Sequence, residues 1–389
     1  MNKDKKSLKT MFKHALQAIK HAPRMILRGL KKALVVTKPS LIAIGLGLLI
    51  GLIIMIIFDA GDAFPALGTL LIGGFNGGLR GIGNTLYQAA PIILTGLAVA
   101  FAFRTGLFNI GASGQMMMGA YVAIHIGVRS NLPGAAHWIV AFLAGMLAGA
   151  LWGLIPGLLK ALSNVNEVVS SIMMNYIAGN LLIIFIMKYV FNPTYSRSLN
   201  ILRSAELPLM TSVFPGSTAN IGIFIAIFVV IIAHIILHKT TLGFGLRASG
   251  FSMPGSKYAG MNTKANIITA MTLSGSFAGM AGAIAFLVVG KNIGTAFEIF
   301  PQGFDGISVA LLGLGEPIGA LFAGLFLANI RMGAFYMQRY SFVPQIIDMI
   351  IAVIIYVTAI SSALQLIFKR YGEQFKEWRK RKMSKKEGE

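Results

Sequence analysis

The sequence predicts an all-α polytopic membrane protein with about ten transmembrane crossings, some of them short or broken. Hydrophobic residues make up 56% of its 389 residues and charged residues only 12%, whereas a soluble domain carries about 25% charged residues. The mean hydropathy is +0.74, and the apolar residues form repeated stretches near the roughly 20 residues that one helical crossing requires. The absence of cysteine excludes disulfides, thiolate metal sites and cysteine nucleophiles.

The formal net charge of +21 is concentrated in two tails. Residues 1–38 hold 11 Lys and Arg against the single acidic residue Asp4, and residues 369–389 hold nine against four. Basic segments beside membrane spans stay in the cytoplasm, so we expect both tails there and a transmembrane domain over 39–368. The first tail is either an interfacial helix, with an apolar face over residues 8–19, or a disordered segment. No aromatic–basic interleaving accompanies the charge, and we expect no nucleic-acid binding.

The apolar stretches define the crossings in order. Residues 63–84, which are glycine-rich, are predicted to form an external loop or short helix, and 188–218 a long external loop. A turn at Gly315–Glu316–Pro317 divides the eighth and ninth spans, and this division places the C-terminus inside. The predicted spans are 41–58, 85–103, 107–128, 137–159, 167–187, 219–237, 265–289, 303–314, 317–330 and 344–368.

The loop 238–264 carries four basic residues and no acidic one, so the positive-inside rule places it in the cytoplasm. It has the pattern of a short helix between breakers: three glycines precede the helix, Pro254 lies within it and Gly260 closes it. Its cations complement an acidic groove, and its apolar side chains, Tyr258 among them, are suited to docking in a cleft. A basic loop that only obeys the charge rule would need neither the glycines nor the aromatic residues.

A search for catalytic motifs excludes the common enzyme classes. The sequence has no G-x-S-x-G elbow, no H-E-x-x-H zinc motif and no Walker A loop, so any ATP hydrolysis must occur on another chain. The six histidines are scattered, and we expect none of them to form a metal site with a carboxylate. Twenty methionines are predicted to be packing residues, and the spaced glycines Gly145, Gly149 and Gly153 to form a helix-packing face.

Polar residues within the spans indicate the candidate site, because burying them in lipid is costly. The densest group is Asn109, Ser113 and Gln115 in the broken third span, where surrounding glycines permit an unwound helix. Irregular backbone is tolerated at membrane depth only against protein or a water-filled cavity. Neutral amides suit a substrate with hydroxyls and ring heteroatoms, such as a nucleoside or sugar. Alternatively, the three residues only join helices through hydrogen bonds.

Three further polar residues are candidates. Asp305, at the start of a short span, either faces the same cavity or caps an interfacial helix. Glu167 begins the fifth span and either acts as a gate or stabilises the helix N-terminus. Asn175 lies two turns deeper and is predicted to line the path.

Six sequence blocks resemble the permeases of the branched-chain amino acid/simple sugar ABC importer superfamily. They follow one another over roughly residues 85–330, and the first resembles the FNIGxxGQ signature of that superfamily. The branch they resemble most is that of the nucleoside permeases. Ser113 departs from the pattern, since an acidic residue is common there, and so does Ser252–Met253. The blocks are FNIGASGQ (108–115), GLIPGLLK with VNEVV (153–160 and 165–169), MNYIA (174–178), TLGFGLRASG (241–250), YAGMN (258–262) and GFDGISVALLG (303–313).

The resemblance implies a fold like that of type II ABC importers and a set of partners. These are a cytoplasmic ATPase, which would bind the ATP and Mg²⁺, a second permease that is homologous or identical, and an extracellular substrate-binding lipoprotein. The cytoplasmic loop 238–264 is similar to the coupling helix of such permeases. We therefore expect Arg247 and Tyr258 to contact the ATPase and Gly250 to permit a bend. The alternative function is an ion-coupled secondary transporter or a channel, but such carriers bury coupling charges midway, and here the acidic residues lie mainly near span ends.

Overall fold

The computed structural model describes residues 44–340, 342–343, 345–346, 348–353 and 356–357. The two predicted basic tails, 1–38 and 369–389, lie outside the described residues, as does most of the predicted last span. The chain divides into two compact units, residues 52–351 and residues 1–51 together with 352–389. Of the second unit, only helical residues 44–51, 352–353 and 356–357 are described. The larger unit contains all of the sites below.

The described residues are mostly helical, in agreement with the predicted all-α class. Between α6 and α7 the chain is mainly irregular, and it contains an antiparallel pair of two-residue strands, β1 (Phe191–Asn192) and β2 (Arg197–Ser198). The helices are α1 (Ile44–Phe58), α2 (Ala63–Ile72), α3 (Gly78–Phe103), α4 (Ala112–Arg129), α5 (Ala135–Ser163), α6 (Glu167–Tyr189), α7 (Gly222–Lys239), α8 (Thr241–Phe251), α9 (Met253–Tyr258), α10 (Thr263–Phe286), α11 (Pro301–Leu312) and α12 (Pro317–Met337).

The prediction of about ten crossings is not confirmed. Among the described residues, six helical stretches are long and apolar enough to cross a membrane: Ala63–Phe103, α5, α6, α7, α10 and α12. The first of these is interrupted by a 3-10 turn, Gly73–Gly77, where Gly73 and the following Gly78 adopt positive φ. Helix α11 has 12 residues, which at about 1.5 Å per residue covers only part of a hydrocarbon core about 30 Å thick.

The helices α4, α5 and α10 meet along a glycine seam, formed by Gly119, Gly145, Gly149, Gly275 and Gly279. A Cβ atom added at Gly149 would lie 2.4 Å from the Gly275 carbonyl oxygen, and one at Gly279 would lie 2.5 Å from that of Gly145. No other residue fits these positions without moving the backbone. This is how small residues let membrane helices approach closely, and it agrees with the packing face predicted for α5.

The interior of the unit is formed by α3, α4 and α10, whereas α5 and α7 have broad exposed apolar faces. Helix α3 is buried almost continuously from Ala89 to Ala102. Leu147 and Leu151 on α5 and Phe228 on α7 are each more than half exposed. Large apolar side chains over a whole helix face are unfavourable in water, so these faces contact lipid or the helices of another subunit.

Candidate substrate path and coupling surface

The signature segment enters the protein interior as irregular chain. Helix α3 ends at Phe103, residues 104–111 are non-helical, and α4 begins only at Ala112. The predicted break therefore lies before the helix, not within it, because Gly106 adopts a positive φ of 75° and turns the chain. Leu107, Asn109 and Gly111 are buried. Irregular backbone at this depth must obtain its hydrogen bonds from neighbouring elements.

Asn109 and Gln115 form a reciprocal pair of amides across this break. The Asn109 Nδ2 donates to Gln115 Oε1 at 2.9 Å, and the Gln115 Nε2 donates back to Asn109 Oδ1 at 3.1 Å. Asn109 also donates to Ser274 Oγ on α10 and accepts from the Gly111 amide. Asn109 is fully buried and Gln115 is 1% exposed. In this conformation the pair joins helices, and its contact with substrate stays a prediction.

Asn175 and Ser113 fasten the same segment to two other helices. From α6, Asn175 Nδ2 donates to the Ile110 carbonyl at 3.0 Å, while its Oδ1 accepts from the Gly114 amide at 2.8 Å. Asn175 thus satisfies backbone groups on both sides of the start of α4, where helical partners are missing. Ser113 Oγ donates to the carbonyl of Phe300, the N-cap residue of α11, at 3.1 Å.

Asp305 lies in the interior of α11 and does not cap it, because the helix starts four residues earlier at Pro301 and its N-cap is Phe300. The interfacial-cap interpretation is therefore wrong. Its Oδ1 accepts a hydrogen bond from Arg331 of α12 at 2.5 Å, and its side chain is 7% exposed. Asp305 Oδ2 and Arg331 Nε are buried without a hydrogen-bond partner among the described residues. The sequence reasoning missed Arg331, although it is a lone charge within an apolar span, which is a default sign of function.

The Asp305–Arg331 pair borders a cavity of about 380 Å³. This volume lies in the range of small-molecule sites, roughly 300–1,000 Å³. Of the five residues predicted for the substrate path, Asp305 is the one that lines it. A second cavity of about 180 Å³ shares Phe286 and Gln302 with the first. The lining residues of the larger cavity are Tyr87, Gln88, Pro91, Ile92, Ala285, Phe286, Lys291, Gln302, Asp305 and Arg331.

The cavity combines two aromatic rings with polar groups from several elements. Tyr87 is held by its hydroxyl, which donates to the Ala285 carbonyl at 2.6 Å. Gln302 is adjacent to Gly303 in one of the resemblance blocks, and Gln88 lies one turn before Pro91 of α3. Neither glutamine was singled out from the sequence, because an isolated glutamine near a span end carries no pattern of its own.

The predicted coupling loop consists of two helices. The expected short helix is α9, with Pro254 in its first turn and Gly260 in a positive-φ conformation just beyond its end. The glycines that precede it belong to a helix of their own, α8. Gly250 has no positive φ; a Cβ added to it would lie 2.3 Å from the Arg104 carbonyl oxygen. The residue is therefore required for close approach to the turn that leads into the signature segment.

The outer face of α8 and α9 is basic and apolar. Phe251 is 95% exposed and Tyr258 94%. Arg247 is partly exposed, and its Nε lies 3.4 Å from the Gly243 carbonyl of its own helix. We call this face, formed by Arg247, Phe251, Lys257 and Tyr258, the α8–α9 surface. The exposed rings of Phe251 and Tyr258 leave a large apolar area in contact with water, which is typical of an interaction site.

Glu167 begins α6 but is not its cap. The N-cap is Asn166, whose side chain accepts hydrogen bonds from the amides of Val168 and Val169. Glu167 instead pairs with Lys160 of α5 at 2.9 Å. Asn166 is therefore the residue that caps the helix through its side chain, whereas Glu167 lies in the first turn, where its charge favours the helix N-terminus. A gating role for Glu167 stays a prediction.

Long apolar helices with broad exposed faces, buried polar groups and a polar cavity together define a multi-pass membrane transport protein. The chain belongs to the family described as branched-chain amino acid transport system / permease component, which matches residues 81–359. It is therefore the permease subunit of an ABC transporter, and ATP hydrolysis in such transporters takes place on a separate subunit.

Curated relatives are similar over most of their length. The chain is 40% identical over 332 residues to the guanosine ABC transporter permease protein NupP of Bacillus subtilis, covering 84% of this chain and 94% of the relative. It is 33% identical over 340 residues to the nucleoside ABC transporter permease protein NupB of Lactococcus lactis, covering 84% and 92%. It is 29% identical over 300 residues to the glucose ABC transporter permease protein TsgB13 of Haloferax volcanii, covering 75% and 78%. No solved structure gives a significant match.

Proposed function

We propose that this permease imports nucleosides across the cell membrane, with both termini in the cytoplasm. It works with a cytoplasmic ATPase, a second permease subunit that is homologous or identical, and an extracellular substrate-binding lipoprotein. The observation that carries the substrate class is the 380 Å³ cavity with its buried carboxylate–guanidinium pair. The printed functions of two relatives, guanosine and nucleoside transport, support the same class.

The chemistry of the cavity fits the two halves of a nucleoside. The rings of Tyr87 and Phe286 offer apolar faces for a base. The amides of Gln88 and Gln302 supply both donors and acceptors for its polar edge. The Asp305 carboxylate accepts from ribose hydroxyls, and hydrogen bonds to a charged group are the stronger kind. A free pentose would leave the aromatic faces uncovered, and a free base would leave Asp305 without a hydroxyl donor.

The four predicted path residues outside this cavity serve the path by positioning its walls. Asn109, Gln115 and Asn175 hold the irregular segment before α4, and Ser113 holds the beginning of α11 through the Phe300 carbonyl. Phe300 itself lines the smaller cavity. A change in these hydrogen bonds would therefore move a wall of the path without removing a substrate contact.

Uptake of a radiolabelled nucleoside into a strain lacking its own nucleoside permeases tests the proposal. We expect competition by nucleosides and much weaker competition by free bases and pentoses. Gln302→Leu should raise the KM about tenfold or more. A site built for hydrogen bonding loses much of its affinity when one polar contact to the substrate is removed. Gln338→Leu, at an exposed position just after α12, is the matched control and should leave uptake unchanged. Competition by glucose or pentoses as strong as by nucleosides would show that the substrate is a sugar.

We further propose that the α8–α9 surface docks on the ATPase. The two nearly fully exposed aromatic residues, Phe251 and Tyr258, insert into a cleft, and Arg247 meets acidic groups on its rim. The contact is transmitted inward because the Gly250 backbone lies against the turn at Arg104–Gly106, which leads directly into the signature segment. Asn266 of α10 ties α8 to the body by donating to the Gly245 carbonyl and to Ser249 Oγ.

Arg247→Glu and Tyr258→Ala test the docking. We expect each to prevent ATPase assembly or to uncouple ATP hydrolysis from uptake, while the permease remains inserted. Co-purification of the ATPase and its hydrolysis rate in proteoliposomes are the measurements. Tyr195→Ala is the control for loss of an exposed aromatic ring, since Tyr195 lies between β1 and β2 and is 64% exposed. Full assembly and transport by Arg247→Glu at several salt concentrations would exclude Arg247 as a docking residue.

A further inference from the structure

Two histidines and a glutamate meet at the end of α7 that is followed by the α8–α9 surface. His234 and His238 are one turn apart on α7, and their rings lie 4.3 Å apart. Glu316 reaches them from the turn between α11 and α12. One donor atom from each of the three side chains lies within 4.8 Å of the other two. The carboxylate is 78 residues beyond His238 in the chain, so no local spacing indicates this cluster. The structure places Glu316 beside two of the histidines that were expected to form no metal site.

The tautomer of His238 is determined by its neighbours. Its Nδ1 lies 3.1 Å from the His234 carbonyl oxygen, and because a carbonyl only accepts, Nδ1 must carry the hydrogen. In the neutral ring Nε2 then presents a lone pair, and it lies 3.4 Å from Glu316 Oε2. A lone pair facing a carboxylate oxygen is favourable only with a cation between them. A backbone carbonyl that fixes the outer nitrogen is also the usual second contact of a metal-binding histidine.

Glu316 and His234 are also arranged so that one atom of each can bind a metal ion. Arg104 binds Glu316 Oε1, so the carboxylate is oriented and Oε2 is left to face the histidines. His234 Nδ1 is buried and has no hydrogen-bond partner among the described residues. The separation of 3.4 Å between Nε2 and Oε2 is close to the distance of about 3.3 Å between two ligands in a tetrahedral zinc site with bonds near 2.05 Å.

We propose that His234, His238 and Glu316 bind a divalent zinc ion. Two imidazoles and one carboxylate are a known zinc donor set that leaves a fourth position for water, and borderline nitrogen ligands favour zinc over magnesium or calcium. The ion would join the end of α7 to the α11–α12 turn. This turn contains Leu314 and Gly315, both with positive φ, and Arg104 also holds it through the Leu314 and Gly315 carbonyls. Zinc would therefore hold the region next to the α8–α9 surface in one arrangement and inhibit transport.

Titration of the purified full-length permease with zinc in a calorimeter tests the site directly. All proteins should carry a tag without histidine, together with His14→Gln and His21→Gln, so that the N-terminal segment contributes no ligand. We expect one zinc ion per chain, with affinity reduced about tenfold or more by His238→Gln or His234→Gln. His125→Gln, which removes an α4 histidine bonded to Tyr121, should bind zinc like the parent protein. Substitution of cobalt should give the visible absorption of a tetrahedral site in the parent and not in His238→Gln.

The functional measurement is uptake in the reconstituted transporter with and without micromolar zinc. Zinc should slow uptake by the parent protein and leave His238→Gln unaffected. Absence of saturable zinc binding overturns the proposal, as does equal affinity in the parent and both histidine variants. Activity that depends on pH through His238, in a protein that binds no zinc, would show that a proton and not a metal stands between His238 and Glu316. Because zinc binding is measured without substrate, these outcomes are independent of which solute is transported.

Discussion

Two regions of this permease bury polar side chains in its interior, and they do so in opposite ways. Around Asn109 and Gln115, the amides pair with each other and with Ser274 on α10. Around Asp305 and Arg331, a charged pair borders a cavity, and each side chain keeps one buried polar atom without a partner among the described residues. A polar residue in a membrane span is thus not by itself a substrate contact. The two regions differ in whether the buried polar side chains already have protein partners for their hydrogen bonds.

The largest effect is expected at the charged pair. Asp305→Ala leaves the partly buried Arg331 without its carboxylate and should cost about 3 kcal/mol, the low end for a broken buried pair because the Arg331 side chain is 29% exposed. The double variant Asp305→Leu/Arg331→Leu should recover the thermal unfolding midpoint in detergent yet remain without uptake. If the double variant transports normally, the pair is structural and the contrast between the two regions disappears.

A smaller effect, on stability, is expected at the amide pair. Gln115→Leu leaves the Asn109 amide without two of its hydrogen bonds and should lower stability by about 1–3 kcal/mol. The amount of inserted protein should decrease, and uptake should decrease in proportion, with the KM unchanged. Uptake normalised to the quantity of permease in the membrane is the measurement. A clear rise in KM for the correctly inserted protein would show that these amides contact substrate in another conformation.

The smallest effect is expected at Ser113, which connects the two regions. Ser113→Ala removes one hydrogen bond, to the Phe300 carbonyl at the start of α11, and should cost about 1 kcal/mol. Uptake should stay above half of that of the parent protein. Ser113→Val serves as a comparison, because a larger side chain would meet Gly303, whose added Cβ would already lie 2.1 Å from Ser113 Oγ. Equal uptake by the two variants would show that the packing of α11 on α4 is not tight.

Sequence reasoning located the polar segment but not its partners. Glycines and amides within an apolar stretch indicate a break at 106–115 whatever surrounds it. The partners of Asn109 and Ser113, namely Ser274 and Phe300, lie more than 160 residues away along the chain, and no local pattern connects them. Arg331 was missed for the same reason, because its role follows from its ion pair with Asp305 on a neighbouring helix. The extra helix α8 was missed because its three glycines disfavour a helix, and its contacts with Arg104 and Asn266 override that preference.

The glycine seam also decides which parts of the permease can rearrange. Where α4, α5 and α10 touch backbone to backbone, no side chain can change rotamer to allow sliding, so we expect these three helices to move as one rigid block. Helix α12 packs mainly on α2 and α3 and not on this block, whereas α11 meets the block at a close approach of Gly303 to the Ser113 backbone of α4. Alternating access would then consist of a rotation of α12 about the Leu314–Gly315 turn, with α11 pivoting at Gly303 against a fixed three-helix frame. The cavity opens at the boundary between the frame and these two helices, where such a rotation changes its width.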